Sequence, residues 1–229
     1  MVARVLTWNL KHGRAVPSAG RDLFDEFAAT LGGWAWDVAL LQEVPPWWPP
    51  ALGTRLDAEQ RFVLTSRNAG LPMRRATAVR WPDLIKSNGG GANAILVRGD
   101  AIVEHRTRRL CIWPEPRWVH AVRLHRAGAW VANVHAGGPM RDSLEAADSA
   151  VRWARDAPLV LGGDFNIRGL ALDGFARAAR HEVDYVFVRG FSAASDAEVL
   201  DRGHLSDHAP VAVTIAPAQS PPPPATPSR

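Results

Sequence analysis

Cysteine is almost missing from this chain of 229 residues: Cys111 stands alone. A single thiol excludes an intrachain disulfide and a structural zinc site built from several cysteines, and it fits a reducing compartment. Lysine is nearly as scarce, Lys11 and Lys86 being the only two among 27 basic residues. Also absent is any apolar run long enough to span a bilayer. The opening MVARVLTWNL lacks the basic stretch, long apolar core and small-residue cleavage site of a signal peptide. A cytoplasmic location is therefore expected.

Arginine takes the place of lysine, and the net charge is +4. Guanidinium groups fork onto phosphate oxygens, so an arginine-rich surface suits a phosphate-bearing partner. A general preference for arginine codons explains the composition equally well, because the excess is mild. Nearly half the residues, 47%, are hydrophobic, enough for one sizeable core. A single domain is expected over residues 1–215. From Ala216 the chain reads APAQSPPPPATPSR. Four consecutive prolines among small polar residues cannot build a core, which makes 216–229 a solvated, extended tail.

Within the domain, short β-branched runs alternate with helical patterns. Strands are expected at Val2–Trp8, Val38–Gln42, Arg61–Thr65, Ala94–Arg98, Trp118–Leu124, Trp130–Val134, Leu159–Leu161, Val183–Val188 and Pro210–Ile215. Most are too apolar on both faces to lie against water, as in stacked sheets. A helix is expected between Pro139 and Asp156, with Leu144, Ala147, Val151 and Ala154 as its apolar stripe and Pro158 preventing its continuation. A second is expected from Arg21 to Leu31. The elements interleave without strict β–α alternation, which favours a mixed-sheet α/β sandwich.

Polar residues recur at the ends of the apolar runs: TWNL (Asn9), LLQEV (Glu43), ANVHA (His135), LGGDFN (Asp164, Asn166), VDYVFV (Asp184) and LSDHAPV (Asp207, His208). Glu43 ends a run that looks fully buried, where an unpaired carboxylate is costly. A hard cation such as Mg²⁺ resolves that cost, and so does solvent or an arginine. Asp164 and Asn166, two apart in an extended chain, point to one side, and Gly162–Gly163 lets backbone approach a ligand. The carboxylate can orient water or metal and the amide can donate to a phosphoryl oxygen, although an Asx turn also fits. His208 supplies a group that titrates near neutrality. Asp184 is the carboxylate available to hold its tautomer.

In order and spacing these segments resemble the motifs of the endonuclease/exonuclease/phosphatase superfamily, which includes deoxyribonuclease-I-like nucleases, abasic-site endonucleases, inositol polyphosphate 5-phosphatases and bacterial sphingomyelinases. GDFN and SDHAPV carry most of the resemblance, and it spans the chain from the first strand to Val213. It implies a four-layer sandwich of two mixed β-sheets flanked by helices, and a Mg²⁺-dependent phosphoesterase, with Mn²⁺ as the alternative ion. By the same resemblance Asn9, Glu43 and Asp207 form the metal shell, and Asp164 orients the attacking water. Asn166 contacts metal or phosphate, and His208 is the base oriented by Asp184. His135 stabilises the phosphorane-like state or protonates the leaving oxygen. Valine precedes His135 where the family usually has threonine. Only 17 residues separate Asn166 from Asp184, so substrate-contacting loops are short.

Around these positions, Trp47 and Trp48 in PPWWPP either stack on a substrate or close the core. Asn88–Gly91 is a hairpin turn or a phosphate approach. Arg141, at the start of the long helix, either reaches a substrate phosphate or is solvated. His12 receives no role, and His181 and His204 read as loop histidines. The expected substrate is nucleic acid, DNA or RNA, cleaved by a monomer. A small or lipid phosphate ester is the alternative, and a non-catalytic phosphate-binding module is a third reading, disfavoured because every mapped catalytic position is filled.

Overall fold

Most of the apolar runs are covered on both faces, and the order of the elements explains how. The computed structural model describes residues 1–65, 68, 70–81, 91–113 and 115–218. Along them run β1 (Ala3–Asn9), a 3₁₀ turn (Lys11–Gly13), α1 (Phe24–Gly33), β2 (Val38–Val44), α2 (Trp48–Arg55), β3 (Glu59–Thr65), α3 (Leu71–Arg80) and β4 (Gly91–Val97). Next come β5 (Ile102–Cys111), β6 (Arg117–Leu124), β7 (Trp130–His135), α4 (Met140–Ala154), β8 (Leu159–Asp164), β9 (Ala176–His181) and β10 (Asp184–Arg189). The last are β11 (Phe191–Ala193), β12 (Glu198–Val199) and β13 (Val211–Pro217).

One sheet has the order β11-β13-β1-β2-β4-β3, with β12 also on β13, and the other β5-β6-β7-β8-β10-β9. Strands β1 and β2 are parallel, as are β7 and β8, and the rest pair antiparallel, so both sheets are mixed. Val5, Val38, Leu40 and Ile95 face Val122, Val131, Val160 and Val186 between the sheets. Leu6, Trp8 and Leu41 point the other way and meet Phe27 and Leu31 of α1 and Trp48 and Leu52 of α2. On the far side α4 lies over β5 to β8, with Val119, Ala132 and Leu161 in the same core cluster. The layers are therefore helix, sheet, sheet, helix, the architecture expected. Each fully buried large side chain, such as Phe27 or Leu31, contributes up to about 1.5–3 kcal/mol.

Several expectations are corrected. Helix α1 starts three residues late, at Phe24, where Asp22 Oδ1 accepts from the Phe24 N–H. In α4 the buried face is Ser143, Ala146, Ala147, Ala150 and Ala154, while Leu144 is exposed and Val151 half-buried. The small residues let α4 lie close against β5, β6, β7 and β8. Gly163 does not admit a ligand: at φ +140° a Cβ there would lie 1.9 Å from Val134 O, so the glycine lets β8 lie against β7. Strands β5, β9, β11 and β12 and helices α2 and α3 are additional to those expected. Strand β13 runs past Ile215 to Pro217, where Phe191 pairs with it. Gly91 opens β4, whereas residues 88–90 and tail residues 219–229 lie outside the described residues.

Candidate active site

The C-terminal ends of β1, β2, β7 and β8 and the start of β10 meet at one edge of the sandwich. Register places His135 beside Asp164 and Asp164 beside Asp184. The two sheets are tied just below. Gln42 Nε2 donates to Thr7 Oγ1 at 3.2 Å and Asn133 Oδ1 at 2.8 Å, and Asn133 Nδ2 donates to Leu41 O and Ala94 O, both at 2.9 Å. A fully buried amide with its donors used fixes relative position strongly, here that of Glu43 and His135.

Asp164 sits at the centre. Its Oδ2 accepts from Asn9 Nδ2 at 3.0 Å and lies 3.6 Å from His135 Nε2 and 3.8 Å from His208 Nε2. Its Oδ1 accepts from the Asn166 N–H at 2.9 Å, the Asx turn, and Asn166 Nδ2 donates to Ala136 O at 3.0 Å. Asn166 has φ 54°, so the extended geometry expected of this pair does not occur. His208 Nδ1 is 2.8 Å from Asp184 Oδ2. Glu43 Oε2 is 3.0 Å from His12 Nε2 and its Oε1 3.8 Å from His135 Nε2. The loop carrying His208 is clamped by Ser206, which donates to Asn9 O at 2.6 Å and accepts from the His208 N–H at 3.1 Å. Trp8 Nε1 donates to His208 O at 3.0 Å.

Backbone strain gathers here. Lys11, His12, Glu43, Asn166 and Ser206 all have φ between 47° and 61°, a region that costs non-glycine residues energy and is held only by surrounding structure. Glu43 falls where the β2–β4 register shifts, and that irregularity turns its carboxylate toward the histidines.

Burial pushes the Asp184 carboxyl up, to about 6, with the charge of Asp164 adding and the hydrogen bond to His208 opposing. Burial resists charge on His208 too, but the hydrogen bond and charge of Asp184, with Asp164 and Asp207, outweigh it and raise the imidazole to about 9. Burial likewise raises Asp164, with Glu43 contributing. His135 is pushed well below the usual imidazole value by burial, then by Arg117, His12 and His208. Asp207 resists burial and stays low because Lys11 pairs with it at 2.6 Å.

Of the nine residues singled out, Asn9, Glu43, His135, Asp164, Asn166, Asp184 and His208 come together. Asp207 is at the rim, half exposed and turned to Lys11. Arg141 is not joined to the cluster: its side chain is 74% exposed and touches Asp142 at 3.4 Å. Trp48 is buried against Phe24 and Phe27, so it closes the core, while Trp47 is half-buried. His204 pairs with Glu26 at 3.3 Å and His181 ends β9. Lys11, His12, Arg117 and Ser206 were missed. Arg117 Nη1 is 2.8 Å from His135 Nδ1, a contact that no local pattern encodes, because 18 residues and a strand turn separate the two. Ser206 stands inside the LSDHAPV segment, and Lys11 and His12 directly follow the TWNL segment, so a local signal existed for these three.

The chain matches a model of the Endonuclease/Exonuclease/phosphatase family over residues 6–208. A search of curated proteins gave no match. Similar solved structures include an endonuclease/exonuclease/phosphatase from Beutenbergia cavernae, 20% identical, covering 94% of this chain and 72% of that one with a TM-score of 0.68. Another, from Bacteroides vulgatus, is 14% identical, covers 95% and 100%, and has a TM-score of 0.70. A third is D. rerio TDP2 complexed with single-strand DNA product, 14% identical, covering 94% and 99%, with a TM-score of 0.67. At these identities the likeness is one of fold.

Proposed function

The chain belongs to the endonuclease/exonuclease/phosphatase family and is a metal-dependent hydrolase of phosphate esters, and from that premise we propose that it is a nuclease that uses Mg²⁺, or Mn²⁺ in its place. The observation that carries the reading is the pairing of His208 with Asp184 at 2.8 Å, its other ring nitrogen directed to Asp164. With Nδ1–H donated to Asp184, His208 in its neutral form, the minor one at neutral pH while Asp184 holds the metal-free imidazole at about 9, offers the Nε2 lone pair to a water that Asp164 orients. It takes that water's proton as the water oxygen bonds to phosphorus, the ester P–O bond opposite breaks, and the leaving oxygen takes a proton from solvent. His135 and Asn166 donate to the phosphoryl oxygens as charge develops on them.

Asn9, Glu43 and Asp207 would hold the metal. The fit rests on the chemistry of the donor set alone: an amide and two carboxylates carry the oxygens that a hard divalent cation prefers, while in the metal-free site Asn9 Oδ1 accepts from the Lys11 N–H at 2.9 Å and Asp207 stands at the rim. Lys11 sets a positive charge against Asp207 at 2.6 Å, and His12 Nε2 lies 3.0 Å from Glu43 Oε2. Asp164, Asp184 and His208, with ligand atoms within 4.8 Å of one another, are the other set of side chains among the described residues that could hold the ion. Bound metal polarises the phosphoryl group and offsets developing negative charge.

Nucleic acid as substrate is supported by arginine supplying nearly all the cationic charge, by Trp113, 82% exposed and four residues before Arg117, as a base-stacking surface, and by the DNA product bound to the TDP2 relative. Ile112, 65% exposed next to Trp113, favours a lipid phosphodiester as the second reading. Among the described residues no helix is long and apolar enough to cross a membrane. The single cysteine supports a cytoplasmic setting. A panel of supercoiled, abasic and single-stranded DNA, RNA, a phosphomonoester and a phospholipid, each with Mg²⁺, Mn²⁺ or EDTA, tests the proposal. Cleavage of a nucleic acid that EDTA stops is expected, and turnover of the phospholipid alone would replace the nuclease reading with the lipid one.

A further inference from the structure

The two active-site histidines have partners of opposite sign. His208 faces a carboxylate, and a carboxylate only accepts, so Nδ1 of His208 carries a hydrogen. His135 faces a guanidinium: Arg117 Nη1 lies 2.8 Å from His135 Nδ1. A guanidinium has only donors and stays charged at any working pH. Nδ1 of His135 must therefore accept, which leaves the ring hydrogen of the neutral imidazole on Nε2, the atom that faces Glu43 and Asp164 at 3.8 and 3.6 Å.

We propose that Arg117 is a positioning residue, which by donating to Nδ1 holds His135 in the Nε2–H tautomer and makes it a fixed hydrogen-bond donor toward the reacting phosphate. The site then presents one histidine as proton acceptor and the other as donor, and their partners rather than their own basicity assign the parts. Arg117 is itself held for this. Its side chain is only 18% exposed, Glu115 accepts from its Nη2 at 3.2 Å, and its stem passes Gly137, where a Cβ would lie 4.0 Å from Arg117 Cγ. Adjacent antiparallel strands set the spacing, since β6 begins at Arg117 and β7 ends at His135.

The proposal rests on the catalytic reading of His135, so the deciding measurement needs neither metal nor substrate. Two-bond ¹H–¹⁵N correlation spectra of the metal-free full chain, labelled at histidine, report which ring nitrogen is protonated, with His135 assigned from the spectrum of His135→Gln. In the wild type Nδ1 is expected bare and Nε2 protonated. Arg117→Met should give a mixture of tautomers, and Arg117→Lys, still donor-only, should keep the wild-type signature. Hydrolysis of bis(para-nitrophenyl) phosphate with Mg²⁺ should lose about 10–100-fold in kcat in Arg117→Met, as for other residues that orient a working histidine, with KM little changed and partial recovery in Arg117→Lys. A wild-type His135 protonated at Nδ1, an unchanged single tautomer in Arg117→Met, or a loss wholly in KM would overturn the proposal. If no nucleic acid proves to be a substrate, the tautomer result is untouched.

Discussion

His208 gathers three carboxylates around one imidazole, and its substitutions follow from that. His208→Ala should lower turnover by about three orders of magnitude, within the 10²–10⁴ contributed by a general base. Asp184→Asn should lose less, because its part is orientation. Steady-state rates on one substrate compare them, and a worse Asp184→Asn would break the base-and-orienter assignment. Stability carries a second signature. In the metal-free protein His208 is raised to about 9 from an ordinary 6.5, so the folded state holds that proton more tightly than the unfolded chain. The resulting stabilisation is full below about pH 6.5 and lost as pH rises through about 9. Asp184, at about 6 in the wild type, is largely ionised across that window. The melting-temperature gap between wild type and His208→Gln should therefore narrow from about pH 6.5 to about pH 9; a gap that widens would contradict the pairing. The residues of this cluster were legible because each stands at or beside the end of an apolar strand, within a specific motif. Arg117 was not, since its contact with His135 is a long-range one, and the extended geometry expected at Asn166 does not occur because the Asx turn to Asp164 goes with a left-handed backbone there.

Whole strands were readable wherever both faces are buried, as in Val38–Leu41 and Trp130–Val134, because such runs stay apolar throughout. Strand β5 escaped because it is a sheet edge: Arg106, Thr107, Arg108 and Arg109 are exposed along it, and charged side chains on an edge discourage pairing with other chains. Helix α2 was hidden by its own prolines, Pro49 and Pro50, which sit in its first turn where a missing N–H costs nothing. The joints between strands also bear load that composition conceals. The Asp100 carboxylate accepts from the backbone N–H groups of Ala101, Arg126 and Ala127 at 2.7, 2.9 and 3.0 Å, joining the β4–β5 turn to the β6–β7 turn. Burial opposes this charge, but the three backbone donors and Arg126 hold the carboxyl below its ordinary 3.8. Asp100→Ala should cost about 0.5–1.5 kcal/mol in urea unfolding at neutral pH, the net worth of hydrogen bonds that water partly replaces at this half-exposed joint. Because the folded value is depressed, that benefit is present above about pH 3.8 and lost as pH falls below it. An equal difference between wild type and variant at neutral pH and well below pH 3 would show that packing, not the charge, is responsible.

At the scale of the molecule, the chain's two ends of composition make separable predictions. Deleting residues 219–229 should leave the melting temperature nearly unchanged, because a proline-rich polar segment brings no core burial. Deletion from Pro217 should lower it, since Phe191 pairs with Pro217 and Ala218 N donates to Gly190 O at 3.1 Å. The other test concerns the arginines. A net charge of +4 is small, so affinity for nucleic acid depends on where cations stand rather than on their sum. Arg141 opens α4 just after His135, with its side chain 74% exposed, and Arg109 is exposed on β5 above Trp118, 5.9 Å from the ring centre. If such side chains meet backbone phosphates, each contact releases counterions, and log affinity falls linearly with log salt by about 0.9 per phosphate on duplex DNA. Several contacts weaken binding ten-fold or more between about 50 and 200 mM salt. Binding of labelled duplex and single strands to the metal-free protein should follow that line, and Arg141→Ala should make the slope shallower by about one without changing sequence preference. A slope unchanged by Arg141→Ala leaves that arginine as a solvated surface group. A flat response in the wild type, or no binding at micromolar protein, removes nucleic acid from the reading and leaves a smaller phosphate ester, held by the metal and the histidine pair alone.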